Sequence, residues 1–189
     1  PIGITTSELA KALTEKPIAV LLTEPGYLGT ISDLPALIEL SHQVKVPVIL
    51  DAAWGGHFGF HPRLPQHAFQ LGADALITST HKALPGYSAS ALLLARTTLL
   101  SAERLEQSFE TTHTTSPAGA PLASIDGVRA LLQTRGEELI GTLLENIDRF
   151  KELVQAEFAL PIFLYPQDFP VGRFDPSKVV LRVQQLGAS

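Results

Sequence analysis

Apolar residues in this chain fall into two textures. Short unbroken runs, Ile18 to Thr23, Val46 to Leu50 and Ala75 to Ile77, alternate with stretches of helical spacing. Runs of that length without period-two alternation predict strands buried on both faces of a parallel sheet. Before the first run, Thr5 to Glu15 predicts a short helix, with Thr6 or Ser7 as N-cap and Pro17 as its stop. After it, Thr23 to Gly29 reads as a turn punctuated by Pro25 and Gly26. Asp33 to Val44 predicts an amphipathic helix with Leu34, Leu37, Ile38 and Val44 facing inward. Leu64 to Leu71 predicts another short helix, stopped by Gly72. Strand, helix, strand, helix, strand is the order of an α/β fold with a mostly parallel sheet and flanking helices.

A fourth apolar run, Ala89 to Ala95, follows Pro85 and Gly86. The link from Ser79 to Ser88 is shorter than the roughly 10–12 residues a helical crossover needs, so this strand is expected antiparallel to the third. Lys82 then lies on their connection. Ser101 to Thr111 predicts a polar helix, and 114–117 a loop. Ala120 to Gln133 and Glu137 to Phe158 predict two long helices interrupted near Gly136. Pro161, Pro166, Pro170 and Pro176 then break the texture into short pieces, with Lys178 to Val183 as a strand. The expected division is a large domain over 1–158 and the start of a small C-terminal α+β domain over 159–189.

Composition narrows the classes. The chain has 189 residues, 45% hydrophobic and 17% charged, enough to bury about 70% of its unfolded surface. Fourteen Lys and Arg against 19 Asp and Glu give a net charge of −5. No long run of either sign suggests a nucleic-acid or membrane partner. With no Cys, disulfides and thiolate metal sites are excluded. Neither a signal peptide nor a membrane-length apolar run is evident, so a cytoplasmic location is expected. The chain has no Met and begins Pro1-Ile2-Gly3; it is expected to be an internal piece of a longer protein.

The candidate chemistry sits where two strands end. Asp51 closes the second run, and Ser79-Thr80-His81-Lys82 follows the third, with Lys82 31 positions after Asp51. In an open parallel sheet, ligands bind at that C-terminal edge. A lysine and an acid converging there fit a pyridoxal-phosphate pocket, with the amine holding the cofactor aldehyde as a Schiff base. The acid keeps the pyridine nitrogen protonated. Taken singly, each residue has a commoner use: Lys82 as a loop lysine, Asp51 as a turn former. Ala53 suits the approach of a flat ring, and Trp54 suits either a pocket wall or core packing. His57 and His61 are four apart, but Gly59 and Pro62 oppose a helix there and no third ligand is obvious, so zinc is not expected. A triad assembled from Ser79, His81 and Asp51 lacks the G-x-S-x-G elbow. No glycine-rich nucleotide motif occurs.

Four stretches together resemble the Orn/Lys/Arg decarboxylases, fold-type I pyridoxal-phosphate enzymes acting on basic amino acids. They are T-E-P-G-Y-L-G at 23–29, L-D-A-A-W-G-G-H-F-G-F-H-P-R-L-P at 50–65, L-G-A-D-A-L-I-T-S-T-H-K-A-L-P at 71–85 and T-T-S-P-A-G-A-P-L-A-S-I-D-G-V-R-A at 114–130. The resemblance implies decarboxylation of lysine, arginine or ornithine, with Lys82 as the Schiff-base lysine and Asp51 on the pyridinium nitrogen. It places Ala53 on one ring face, Trp54 and His81 near the cofactor, and Ser79 on its phosphate. It also implies a homodimer or higher even oligomer, with Thr115 and Ser116 near the neighbouring subunit's site, and a role in polyamine biosynthesis. Ala52 and Trp54 depart from the Glu and His that many members carry there. The family's phosphate-cradling turn and ring-stacking His would lie upstream of the first strand. Two alternatives stay open: another fold-type I reaction (aminotransferase, lyase or desulfurase), and a non-catalytic module retaining the scaffold.

Overall fold

Parallel pairing builds the centre of the molecule, seen in a computed structural model that describes residues 3–113, 116, 118–157, 163–168 and 173–182. Strands β1 (Val20–Thr23), β3 (Val48–Asp51) and β4 (Ala75–Ser79) run parallel, and β5 (Ala91–Ala95) is antiparallel to β4, in the order β1-β3-β4-β5. The antiparallel return is the one the short 79–88 link predicts. A second sheet joins β2 (Thr30–Ile31) to β6 (Arg173–Phe174), so the turn after β1 meets the far end of the chain.

Helices α1 (Thr6–Leu13) and α2 (Leu34–Gln43) cover one face of the larger sheet. A capping box starts α1: the Thr5 side chain accepts from the Glu8 amide, and the Glu8 carboxylate accepts from Thr5. The cap is thus one residue earlier than expected. In α2, Leu34, Leu37 and Ile38 are buried. They meet Val48, Leu50 and Leu76, all fully buried, each worth about 1.5–3 kcal/mol relative to exposure. Val44 does not join them. It follows the last turn of α2 and is 55% exposed. Buried Asp74 ties helix to sheet, with Oδ2 accepting the Val48 amide at 2.8 Å and lying 2.8 Å from His42 Nε2.

The opposite face departs from expectation. Burial alternates along β1 and β3, and Leu21 (71% exposed) and Ile77 (40%) lie open. Only one face of these strands is covered among the described residues, so the unbroken apolar runs do not mean two buried faces here. Registered partners in a sheet share a face. Leu21 pairs with Ile49, and Asp51 pairs with both Thr23 and Ile77. Asp51 therefore ends the row that carries Ile49 on the uncovered side.

Three further elements differ. The segment 64–71 forms turns, stopped at Gly72 (φ +105°), and no helix links β3 to β4. The two long helices are one, α4 (Gly119–Glu157), after α3 (Ala102–Thr112). Gly136 does not break α4; it is buried inside the helix beside Phe60 and Leu132. Lys178 to Val180 is not a strand, since only Leu181 makes a bridge, to Phe163. The domain boundary expected near 158–161 lies outside the described residues.

Candidate functional site

The C-terminal ends of β1, β3 and β4 lie side by side, because Thr23, Asp51 and Ile77 are consecutive register partners. Each loop after these ends starts on a cross-strand bond. Glu24 donates its amide to the Asp51 carbonyl (3.0 Å), and Ala52 donates to that of Ile77 (2.8 Å). The Thr78 hydroxyl then donates to the Ala52 carbonyl at 3.0 Å. These bonds hold the Asp51 and Lys82 loops against one another at one edge.

Asp51 is exposed, and its Oδ1 accepts the Ala53 amide at 3.1 Å, which fixes the carboxylate and leaves its second oxygen for another donor. Lys82 is exposed, with no ion pair to a described residue. Its Nζ stands over the Trp54 ring, 5.3 Å from the centroid. Trp54 is half-buried and meets Tyr27 edge to face at 5.7 Å. Ala53, half-buried between Asp51 and Trp54, presents only a methyl. Beside this edge a cavity of about 580 Å³ is lined by Leu21, Thr23, Glu24, Tyr27 and Thr30 among others.

Ser79 is buried as the last residue of β4, paired with Ala91. The Thr80 amide donates to the Ser90 carbonyl at 3.0 Å, and its hydroxyl lies 2.5 Å from that of Ser90. His81 is half-buried, and its Nδ1 accepts the Ser90 amide at 3.1 Å. The Ser79–Lys82 segment is thus stitched to the start of β5 up to His81, and Lys82 is the first side chain to leave it. Thr115 lies outside the described residues; Ser116 is exposed.

A second cluster was not legible as a site. Buried His57 reaches Asp175, 118 residues away and fully buried. His57 Nε2 lies 3.1 Å from Oδ2 and 3.4 Å from Oδ1 of Asp175, and 3.0 Å from Ser177 Oγ. The Oδ2 contact is close in distance but misdirected for a hydrogen bond; the well-aligned partners of Asp175 are the amide and hydroxyl of Ser177, both on Oδ1. Burial works to raise the Asp175 carboxyl, but the contacts to His57 and Ser177 outweigh it and hold the group below its ordinary value of 3.8. This turn ends in Lys178, whose Nζ caps the Trp54 ring at 3.9 Å. Burial pushes the Lys178 amine down, and the Asp175 charge partly restores it. In the sequence this stretch showed only Pro176 as a breaker ahead of the strand expected over Lys178 to Val183. Buried Glu24 was also missed: burial raises its carboxyl, opposed by a 2.8 Å bond from the Ser32 amide.

His57 is therefore a buried partner of Asp175, and His61 instead bonds the Arg63 amide. Among the described residues no group of three His, Cys, Asp or Glu is placed to hold a metal. No described helix is long and apolar enough to cross a membrane.

The family model for the Orn/Lys/Arg decarboxylase major domain matches residues 3–169. An arginine decarboxylase of Bacillus subtilis is 35% identical over 192 residues, covering 98% of this chain and 39% of its own length. One from Halalkalibacterium halodurans is 34% identical over 197 residues, covering 98% and 38%. The chain thus spans about two fifths of the length of these relatives. Among solved structures, a PLP-dependent aminotransferase from Streptococcus suis superposes with a TM-score of 0.62 at 14% identity, covering 93% of this chain and 44% of that one. An apo methionine gamma lyase from Micromonospora echinospora gives 0.58 at 20%, covering 85% and 41%. These place the chain in the fold-type I architecture, as part of a large domain, and with the family they indicate pyridoxal phosphate as cofactor. The residues present suit that group: an exposed amine, a fixed carboxylate with a free oxygen, and a methyl between carboxylate and indole.

Proposed function

The chain belongs to the Orn/Lys/Arg decarboxylase family, and from that premise we propose that its protein removes the carboxyl group of a basic amino acid, arginine first. The names of the Bacillus subtilis and Halalkalibacterium halodurans relatives favour arginine. Written in balance, the amino acid and one proton give the corresponding amine and carbon dioxide. The observation that carries the reading is the pairing of Asp51 and Lys82, two exposed, opposite charges without an ion-pair partner among the described residues, on one sheet edge.

When bound, pyridoxal phosphate supplies an aldehyde carbon for an amine and a ring that takes up the electron pair left by carbon dioxide. The Lys82 amine would be the group that holds that aldehyde. Asp51 keeps a proton on the ring nitrogen through its free oxygen, while the Ala53 amide prevents the carboxylate from rotating away. Ala53 gives the ring a flat seat, and Trp54 walls the side where the Lys82 amine rests. Ser79 serves the phosphate, and His81, anchored to the Ser90 backbone, flanks the cofactor. The protein works as an even oligomer, with Ser116 near the neighbouring subunit's site.

Incubating the protein with radiolabelled arginine, lysine and ornithine tests the reading. Labelled carbon dioxide and agmatine from arginine are expected. A keto acid, ammonia or no turnover would overturn it in favour of another fold-type I reaction or a scaffold without chemistry.

A further inference from the structure

We infer that Lys178 is a positioning residue for the Lys82 site, clamping the indole of Trp54 so that this ring forms a fixed wall for the Lys82 amine. The inference rests on the reading of Lys82 as the reactive lysine. Four observations carry it. Both amines stand over one ring, Lys178 Nζ at 3.9 Å and Lys82 Nζ at 5.3 Å from the Trp54 centroid, and Tyr27 closes a further side edge to face. Lys178 makes no ion pair with a described residue, so its nearest attractive partner is the ring.

The lysine is also mounted on a built support. The Asp175 amide donates to the Gly29 carbonyl at 2.7 Å, and the Lys178 amide donates to the Asp175 carbonyl at 3.0 Å. The Asp175 carboxylate, fully buried, gathers Ser177 and His57 beneath the turn. Finally, the stem of Lys178 crosses Gly29 so closely that a Cβ there would lie 2.7 Å from the Lys178 Cγ, at a φ of +91° that side chains rarely adopt. Glycine at 29 is what lets the lysine reach the ring. Three parts of the chain far apart in sequence, at 27–29, 54–57 and 175–178, thus converge to hold one indole.

Trp54 is the only tryptophan of the chain, so its fluorescence reports the wall alone. The test compares the full chain with Lys178→Gln, Lys178→Arg and Gly29→Ala. Acrylamide quenching of Trp54 is measured first, and then the rate at which pyridoxal phosphate with borohydride labels Lys82. Lys178→Gln is expected to raise the quenching constant and slow Lys82 labelling, each by about 2- to 5-fold, the size of one exposed cation–π contact. Lys178→Arg restores both, since a guanidinium stacks on the same face. Gly29→Ala behaves like the Gln variant, though Lys178 itself is intact. Equal quenching in wild type and Lys178→Gln overturns the inference, as does a loss that Arg fails to rescue. Should wild type take no label at Lys82, the functional reading falls while quenching still judges the clamp. If Lys178→Gln loses its circular-dichroism spectrum, the Arg and Gly29 variants decide the matter.

Discussion

Two pairs of polar side chains follow from the same β3 strand end and are treated in opposite ways. Asp51 and Lys82 are exposed, 31 positions apart, and lack an ion-pair partner among the described residues. His57 and Asp175 are buried, 118 positions apart, and face one another. An exposed charge costs the fold little and stays available to a ligand. A buried carboxylate is tolerable only with donors around it, and Asp175 has the Ser177 amide and hydroxyl, with His57 beside them. The first pair is thus suited to chemistry, the second to holding the 173–178 turn in place.

Mutation separates the two pairs. Lys82→Ala should abolish turnover while leaving the urea midpoint of unfolding unchanged; a lysine at the reacting centre cannot be replaced by a methyl. Asp51→Ala should cut the rate by about two to three orders of magnitude, as losing one preorganised charge at the reacting system does, again with stability intact. Asp175→Ala should do the reverse and destabilise by about 1–3 kcal/mol, because the Ser177 amide and His57 lose their buried acceptor, read as a lower urea midpoint. If Asp175→Ala left the midpoint untouched, the contrast between the pairs would collapse.

Acid sharpens the contrast. The Asp175 carboxyl is held below 3.8 in the fold, so the stability it contributes is complete above that value and is lost as the pH falls through its folded value. Wild type should therefore show Trp54 emission moving in that acid range as Lys178 leaves the ring, and Asp175→Asn should lack that limb. The smallest effect concerns Glu24. Burial raises its carboxyl above 4.5, so ionising it costs stability as the pH climbs past that value. Glu24→Gln keeps an acceptor for the Ser32 amide and should raise the urea midpoint slightly at pH 7, with no gain at pH 4.

The parallel strands, the antiparallel return to β5 and the placing of Asp51 and Lys82 at strand ends were legible because each rests on local signals. Apolar runs, a short link and chain direction are all present within a few tens of residues. The uncovered sheet face was not, since a run such as Ile18 to Leu22 reads the same whether one or both faces meet protein. Gly136 misled for a related reason: it was read as a backbone break, yet it lies buried within one continuous helix, beside Phe60. The Asp175–Lys178 turn was hidden because its partners, Gly29, Trp54 and His57, are more than a hundred residues away. Only tertiary contact reveals such a support.

The most direct measurement locates the reactive amine. Pyridoxal phosphate is added to the full protein, the adduct is reduced with borohydride, and the modified lysine is found by peptide mass. The account predicts a pyridoxyl group on Lys82, lost in Lys82→Ala. Label on Lys178 or another lysine, with Lys82 unmodified, would contradict it.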